Sequence, residues 1–294
     1  MSLALLSFAV LGMSQAALMI RLAHAPNEAI GFWRQLIATA ALAFFAWRRR
    51  ESWRRLTRME KAAVPLAAVL FFIHLWAFTY ATQHTSVAHT MIGFELHPVW
   101  TGLGAWLLFK EKLGARVLFA WLLAAAGIAA LLSGATAGLT SVAGDTAALV
   151  AALSFSGYVL LGKGARRKLD NWVFAFMMSV VICPLFFLTG SARGVSFGPY
   201  SFDFWAGVLC LAAFVSIGGH AIFSHLLNEM DVNVLSCAKL LEPALAAVGA
   251  WLLLKERLSA RTGVAFALVT SAVLLILLPA KTAAPIPVAE LEDD

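Results

Sequence analysis

An all-α integral membrane protein, with ten transmembrane helices arranged as two inverted five-helix repeats, is the fold class this sequence predicts. Three observations point to it: an apolar composition, apolar runs of spanning length along the whole chain, and an internal repeat whose copies each need an odd number of spans. Of the 294 residues 61% are apolar and 13% charged, with a mean hydropathy of +0.84. An ordinary soluble domain has about 45–50% and about 25%. At about 20 residues per span plus a turn, the chain holds roughly ten or eleven spans and little else. That excludes an extramembrane catalytic domain, a nucleotide-binding domain and a receptor ectodomain.

The apolar runs fall at 2–23, 28–47, 62–83, 87–109, 114–133, 143–163, 171–190, 204–228, 232–254 and 260–279, numbered here as spans 1 to 10. Span 1 imitates a secretory signal, because Ala23-His24-Ala25 resembles a small-residue cleavage site, but no Lys or Arg precedes the run, so it reads as a true span. The turn after span 2 carries Arg48, Arg49, Arg50, Arg54, Arg55, Arg58 and Lys61. Lys110, Lys112 and Arg116 follow span 4, Lys163, Arg166, Arg167 and Lys168 follow span 6, and Lys281 follows span 10. The other face has only Arg21, Arg193, Lys255, Arg257 and Arg261. This excess predicts that both termini are cytoplasmic, and it accounts for the formal charge of +6 without a nucleic-acid partner. Residues 281–294, with Pro285 and Pro287 and then Glu290, Glu292, Asp293 and Asp294, read as a disordered acidic cytoplasmic tail. Cys183, Cys210 and Cys237 lie in apolar runs without paired spacing, so neither a disulfide nor a metal site is expected, and no cofactor is implied.

Gly104-Ala-Trp-Leu-Leu-Phe-Lys-Glu-Lys-Leu-Gly-Ala-Arg116 is matched by Gly249-Ala-Trp-Leu-Leu-Leu-Lys-Glu-Arg-Leu-Ser-Ala-Arg261, ten identities in thirteen at an offset of 145. The offset runs without a gap back to Leu66 and Leu211, for 17 identities in 51, pairing Phe78 with Phe223, Val87 with Val232 and Pro98 with Pro243. Spans 3 to 5 therefore repeat as spans 8 to 10. Five spans per copy means that the second copy enters the membrane from the opposite side. The expected division is residues 1–139, residues 140–280 and the tail 281–294. Inverted repeats of this kind are typical of secondary transporters, with the substrate site near the midplane between the halves.

The ten spans in two halves, the Glu242-Pro243 pair in span 9, and the Gly-x-x-x-x-x-Lys-Glu-x-Leu tail on spans 4 and 9 together resemble the drug/metabolite transporter superfamily, EamA type. Within it the chain is similar to bacterial amino-acid exporters, the aromatic amino-acid exporters among them. The resemblance implies a basket of helices around a central cavity, with the outer helices at the repeat ends aiding homodimer formation in some members. His97-Pro98 stands in the first half where Glu242-Pro243 stands in the second, so the acidic member of the pair occurs once.

Ionisable groups at mid-span cost about 2.5–3.5 kcal/mol each on insertion scales and usually face a cavity or a partner. Lys239 and Glu242, spaced i, i+3, share a helical face, and the repeat puts Phe94 and His97 at the matching positions. A zwitterion could meet the Lys239 ammonium, the Glu242 carboxylate and the His97 imidazole; the alternative is a structural ion pair that locks span 9. Glu95, beside this stripe, reads either as a proton-coupling group or as a partner of Arg34 or His74. His74 itself is a substrate ligand or a group bonded to a neighbouring carbonyl. Gln15, Ser154, Ser156 and Tyr158 are neutral donors or interhelical glue. Trp33, Trp76, Phe78, Tyr80, Trp100, Phe155 and Phe176 lie near mid-span, able to line an amphipathic cavity or to pack against lipid, while Trp47, Trp53, Trp172 and Trp205 suit an interfacial belt.

Gly157-Tyr-Val-Leu-Leu-Gly162-Lys163-Gly164 spells most of a phosphate-binding loop, but Gly164 stands where Ser or Thr must hold magnesium, and no strand precedes it. No His-Glu-x-x-His or Gly-x-Ser-x-Gly occurs. The sequence thus reads as a bacterial inner-membrane secondary transporter, not an enzyme, that exports small amphipathic metabolites, amino acids foremost. Export of another metabolite or drug class, a membrane-embedded enzyme and a channel are the competing readings.

Overall fold

The computed structural model describes residues 2–109, 115–133, 141–166, 168–219, 222, 226, 238–239, 241–256 and 259–277. Its helices are α1 (Ser2–Ser14) and α2 (Ala16–Leu22), which make span 1; α3 (Asn27–Arg48); α4 (Arg58–His84); α5 (Val87–Phe94) and α6 (His97–Phe109), which make span 4; and α7 (Ala115–Ser133). The second half has α8 (Val142–Arg166), α9 (Asn171–Ala192), α10 (Phe202–Cys210) continued by a wider π-type segment (Leu211–Gly219), α11 (Glu242–Leu254) and α12 (Ala260–Leu277). Six of the described helices are long and apolar enough to cross a membrane: Ala4–Leu22, Asn27–Arg48, Arg58–His84, Val142–Gly162, Asn171–Ala192 and Phe202–Gly219. Three more apolar helices, Ala115–Ala130, Glu242–Leu254 and Ala260–Leu275, are shorter. The acidic tail, the first Lys110-Glu111 turn and Cys237 lie outside the described residues.

Helix pairing follows the inverted repeat. α4 packs on α8, α3 on α9, α7 on α12, α5 on α11, and α1 on the π-type segment of span 8. In span numbers these are 3 with 6, 2 with 7, 5 with 10, 4 with 9 and 1 with 8. Adding five converts the 3–6 contact into the 8–1 contact and returns the other three pairs to themselves, as a pseudo-two-fold axis requires. The close approach of spans 1 and 8 depends on Gly12, where a Cβ would come within 3.0 Å of the Phe214 carbonyl oxygen.

The ends are set by local chemistry. Thr57 caps α4 in a reciprocal capping box with Glu60, Ser86 caps α5, Asp170 caps α9 and Ser201 caps α10. Glu60 also meets Lys168 at 2.8 Å, joining the turn after span 2 to the turn after span 6. The Lys168 bond, with the Thr57 N–H, holds the Glu60 carboxyl down at about 2. Arg49 and Asp170 pair at 2.8 Å on the same face. The opposite face joins Arg21 to Glu256, and Arg193 to Glu28, each at 3.1 Å. Lys255 adopts a left-handed conformation at φ 58° that ends α11 and turns Glu256 back toward Arg21.

Gly144 shows how tightly this second face is closed. A Cβ there would lie 2.7 Å from Thr85 Cβ and 2.8 Å from the His84 carbonyl carbon. Because the nearest atoms include backbone, Gly144→Ala is expected to cost about 1–3 kcal/mol, read as a lowered unfolding temperature in detergent. An unchanged temperature would show that spans 3 and 6 slide apart freely.

Candidate functional site

Proline chemistry breaks two spans at equivalent points. Pro98 has no N–H to offer the Phe94 carbonyl and its ring crowds that oxygen, so span 4 opens at Glu95 and Leu96. His97 Nδ1 takes up the freed Phe94 oxygen at 3.2 Å. The His97 carbonyl is in turn held by Thr101 Oγ1 at 2.9 Å and by Ser156 Oγ of α8 at 2.7 Å. In span 9, Leu241 stands outside the helix and α11 begins at Glu242-Pro243. Leu96 and Leu241, like Pro98 and Pro243, are repeat mates at the offset of 145. Discontinuous helices at matching places in the two halves are the usual setting of a transporter's midplane site.

The rings that the sequence singled out converge at the span 4 break. The Phe94 centroid lies 5.0 Å from His97, 5.0 Å from His74, 5.4 Å from Phe155 and 5.6 Å from Phe78. His97 and His74 each approach Phe155, at 5.0 and 5.1 Å. Tyr158 continues the group at 5.5 Å from Phe155, and Phe71, which the sequence reading passed over, stacks between Tyr158 and His74 at 4.7 and 5.3 Å. α5 touches α2, α4, α7, α8, α11 and α12, so its side chains face protein. Phe94 and His97 nevertheless keep partial exposure, as do Phe155, Tyr158 and Lys239.

The ionisable groups gather beside these rings. Glu95 is 5% and Glu242 4% exposed. Lys239 acts electrostatically on Glu95, Glu242, His97 and His74, and Glu95 also feels Glu242. Glu242 Oε1 is buried and has no hydrogen-bond partner among the described residues. A buried carboxylate oxygen left without a hydrogen bond is costly, and it keeps the capacity to accept a donor carried by a ligand. Two carboxylates, an ammonium and an aromatic wall together can hold a zwitterion, its ammonium on the carboxylates and its side chain on the rings.

Other candidates sit elsewhere. His74 Nδ1 lies 3.1 Å from the Ala151 carbonyl, the neighbouring-carbonyl bond allowed as one of its two readings. Arg34 bonds Ser216 Oγ at 2.9 Å through Nε, which sets it against span 8 rather than in a hydrogen bond to Glu95. Gln15 occupies the break between α1 and α2, bonds Ser14 and packs against Gly249, about two turns of α11 from Glu242. Trp76 and Trp33 serve the Arg193 face, where their indoles donate to Glu28 at 2.9 Å and to the Phe197 carbonyl at 3.0 Å. A groove of about 570 Å³ between α5, α11 and α12 is lined by Ala88, Ile92, Pro243, Ala247, Trp251 and Phe266 among others, with no ionisable group among the described lining residues. No group of three or more His, Cys, Asp or Glu able to hold a metal occurs among the described residues.

Comparison with known proteins bears on the whole chain. The sequence profile of the EamA-like transporter family matches residues 1–133 and 142–278. No curated protein matches the chain. Among 26 matching chains of solved structures, one titled only "Crystal structure of protein" superposes with a TM-score of 0.62 at 19% identity, covering 93% of this chain and 95% of its own. At that identity the likeness is one of fold.

Proposed function

Since the chain belongs to the EamA-like transporter family, and is thus a multi-pass secondary transporter of small molecules and not an enzyme, we propose that it exports zwitterionic metabolites by alternating access. Amino acids with apolar or aromatic side chains are the foremost substrates, and a bacterial inner membrane is the setting. One observation carries this reading: Lys239, Glu95 and Glu242 gather with the ring cluster of Phe94, His97, Phe155 and His74 at the matched breaks of spans 4 and 9. Lys239 and Glu242 meet the charged end of the ligand, the rings its side chain, and Glu95 stands by as a proton acceptor. Counterflow of a panel of radiolabelled amino acids into vesicles of purified protein tests it. Saturable exchange that unlabelled aromatic or branched amino acids compete supports the proposal; a panel that exchanges nothing while another metabolite class does would reassign the substrate. Depleting ATP should leave the exchange intact.

Orientation follows from charge. The face with Arg49, Glu60, Lys168 and Asp170 also bears most of the basic turns and is assigned to the cytoplasm with both termini. Single cysteines in the Arg48–Lys61 turn and in the Lys255–Arg261 turn are expected to react with an impermeant reagent from opposite sides of sealed vesicles. Reaction from one side only would refute the orientation of the second half.

A further inference from the structure

A second polar chain crosses the seam of spans 4, 6 and 10 near the Arg21 face, apart from the candidate site. Asp145, in the first turn of α8 and wholly buried, accepts the Thr85 hydroxyl at 2.7 Å and meets His89 Nδ1 at 3.0 Å. His89, 3% exposed, places Nε2 3.2 Å from Thr262 Oγ1 of α12, and Thr262 lies 2.8 Å from Ser259 Oγ. Ser259 is exposed. Carboxylate, imidazole and two hydroxyls therefore lead without a gap from a buried acid to the surface.

Both charge states of His89 fit this chain without moving a heavy atom. In the neutral ring Nδ1–H donates to Asp145 and Nε2 accepts the Thr262 hydroxyl. In the charged ring both N–H groups donate, one to the carboxylate and one to Thr262 Oγ1, whose own hydrogen turns to Ser259. Among the described residues the surrounding charges are otherwise placed. Arg21 of α2 bonds the Thr82 and Thr85 carbonyls and Glu256, and Glu256 also accepts the Val87 N–H. His84 of α4 is turned to the Tyr80 carbonyl, and Arg261 to that of Ser133. Lys255 is exposed. Among the described residues Asp145 is thus the carboxylate that faces the imidazole.

We propose that His89 and Asp145 form a proton-binding site, loaded through Thr262 and Ser259, whose occupancy holds the Arg21 face closed. The imidazolium keeps both its carboxylate and its hydroxyl only while α5, α8 and α12 stay packed, so proton binding and the closed seam favour each other. Its consequence for export rests on the transport reading above: acid on that face acts as a brake on opening.

The test uses a chain whose Cys183, Cys210 and Cys237 are serine, held in lipid nanodiscs. Ala148, buried against Gly93 one turn beyond Asp145, is made cysteine, and its rate of modification by a charged methanethiosulfonate is divided by that of Ala260→Cys at an exposed reference position. From about pH 8 to about pH 5.5 the ratio is expected to fall roughly five- to tenfold with His89 present, and to stay flat in His89→Gln. A flat ratio with His89 present, or a fall that survives His89→Gln, overturns the proposal. Should His89→Gln not fold, Thr262→Val serves instead: it removes the acceptor on Nε2 and is expected to shrink the fall to under about twofold, while an undiminished fall again overturns it. No substrate enters this assay, so a chain that labels as expected but shows no counterflow keeps the proton site and loses the transport reading.

Discussion

In counterflow with the preferred amino acid, the Glu242→Gln protein is expected to lose at least about tenfold in apparent affinity while its unfolding temperature holds or rises. A hydrogen bond to a charged group contributes about 1.5–3 kcal/mol, and about 1.4 kcal/mol is a factor of ten. Glu242 Oε1 is buried without a hydrogen-bond partner among the described residues, so the substitution gives up the attraction of Lys239 but also removes the cost of burying a charge. A structural role predicts the reverse, a fall in stability with affinity kept. The double variant Lys239→Met, Glu242→Leu separates the two: unchanged transport affinity in that protein would end the binding role of both residues.

Arg21→Ala should produce the largest loss of stability. The guanidinium gives two bonds to the Thr82 and Thr85 carbonyls, at 2.8 and 3.0 Å, and one to Glu256 at 3.1 Å. Glu256 is 9% exposed and sits over the start of α5. Truncating Arg21 leaves that carboxylate buried and two carbonyls unmet, a loss of about 3–5 kcal/mol by the measure of broken buried pairs. Denaturant unfolding in mixed micelles would read it, and adding Glu256→Gln should restore part of the loss. A cost below about 1 kcal/mol would show that the pair behaves as a solvated surface contact.

The architecture was open to sequence reasoning because membrane insertion leaves few choices: apolar length gives spans, and the offset of 145 gives the repeat. Phe94 and His97 of the candidate site were legible for the same reason, since they map onto Lys239 and Glu242. The breaks were not read, although Pro98 and Pro243 at matching positions were the available signal. Gln15 and Trp76 were placed by depth along a span, and depth does not tell which neighbour a side chain meets. His89, Asp145 and Thr262 escaped notice because each is an ordinary residue near a span end, and their meeting depends on three spans far apart in sequence. Glu28 was missed likewise; its burial under Trp76 and Arg193 comes from the pairing of spans 2, 3 and 7.

That pairing also governs how the protein is made. Among the described residues, every principal partner of a span in the first half belongs to the second half. While the later helices are still being translated, Arg21, Thr85 and His89 wait in or near lipid for Glu256, Asp145 and Thr262. Consolidation is therefore a late event, after most of the chain has left the ribosome. A premature stop beyond span 5 is expected to yield not half a carrier but a helix bundle with its polar seams open, the kind of product that membrane proteases remove.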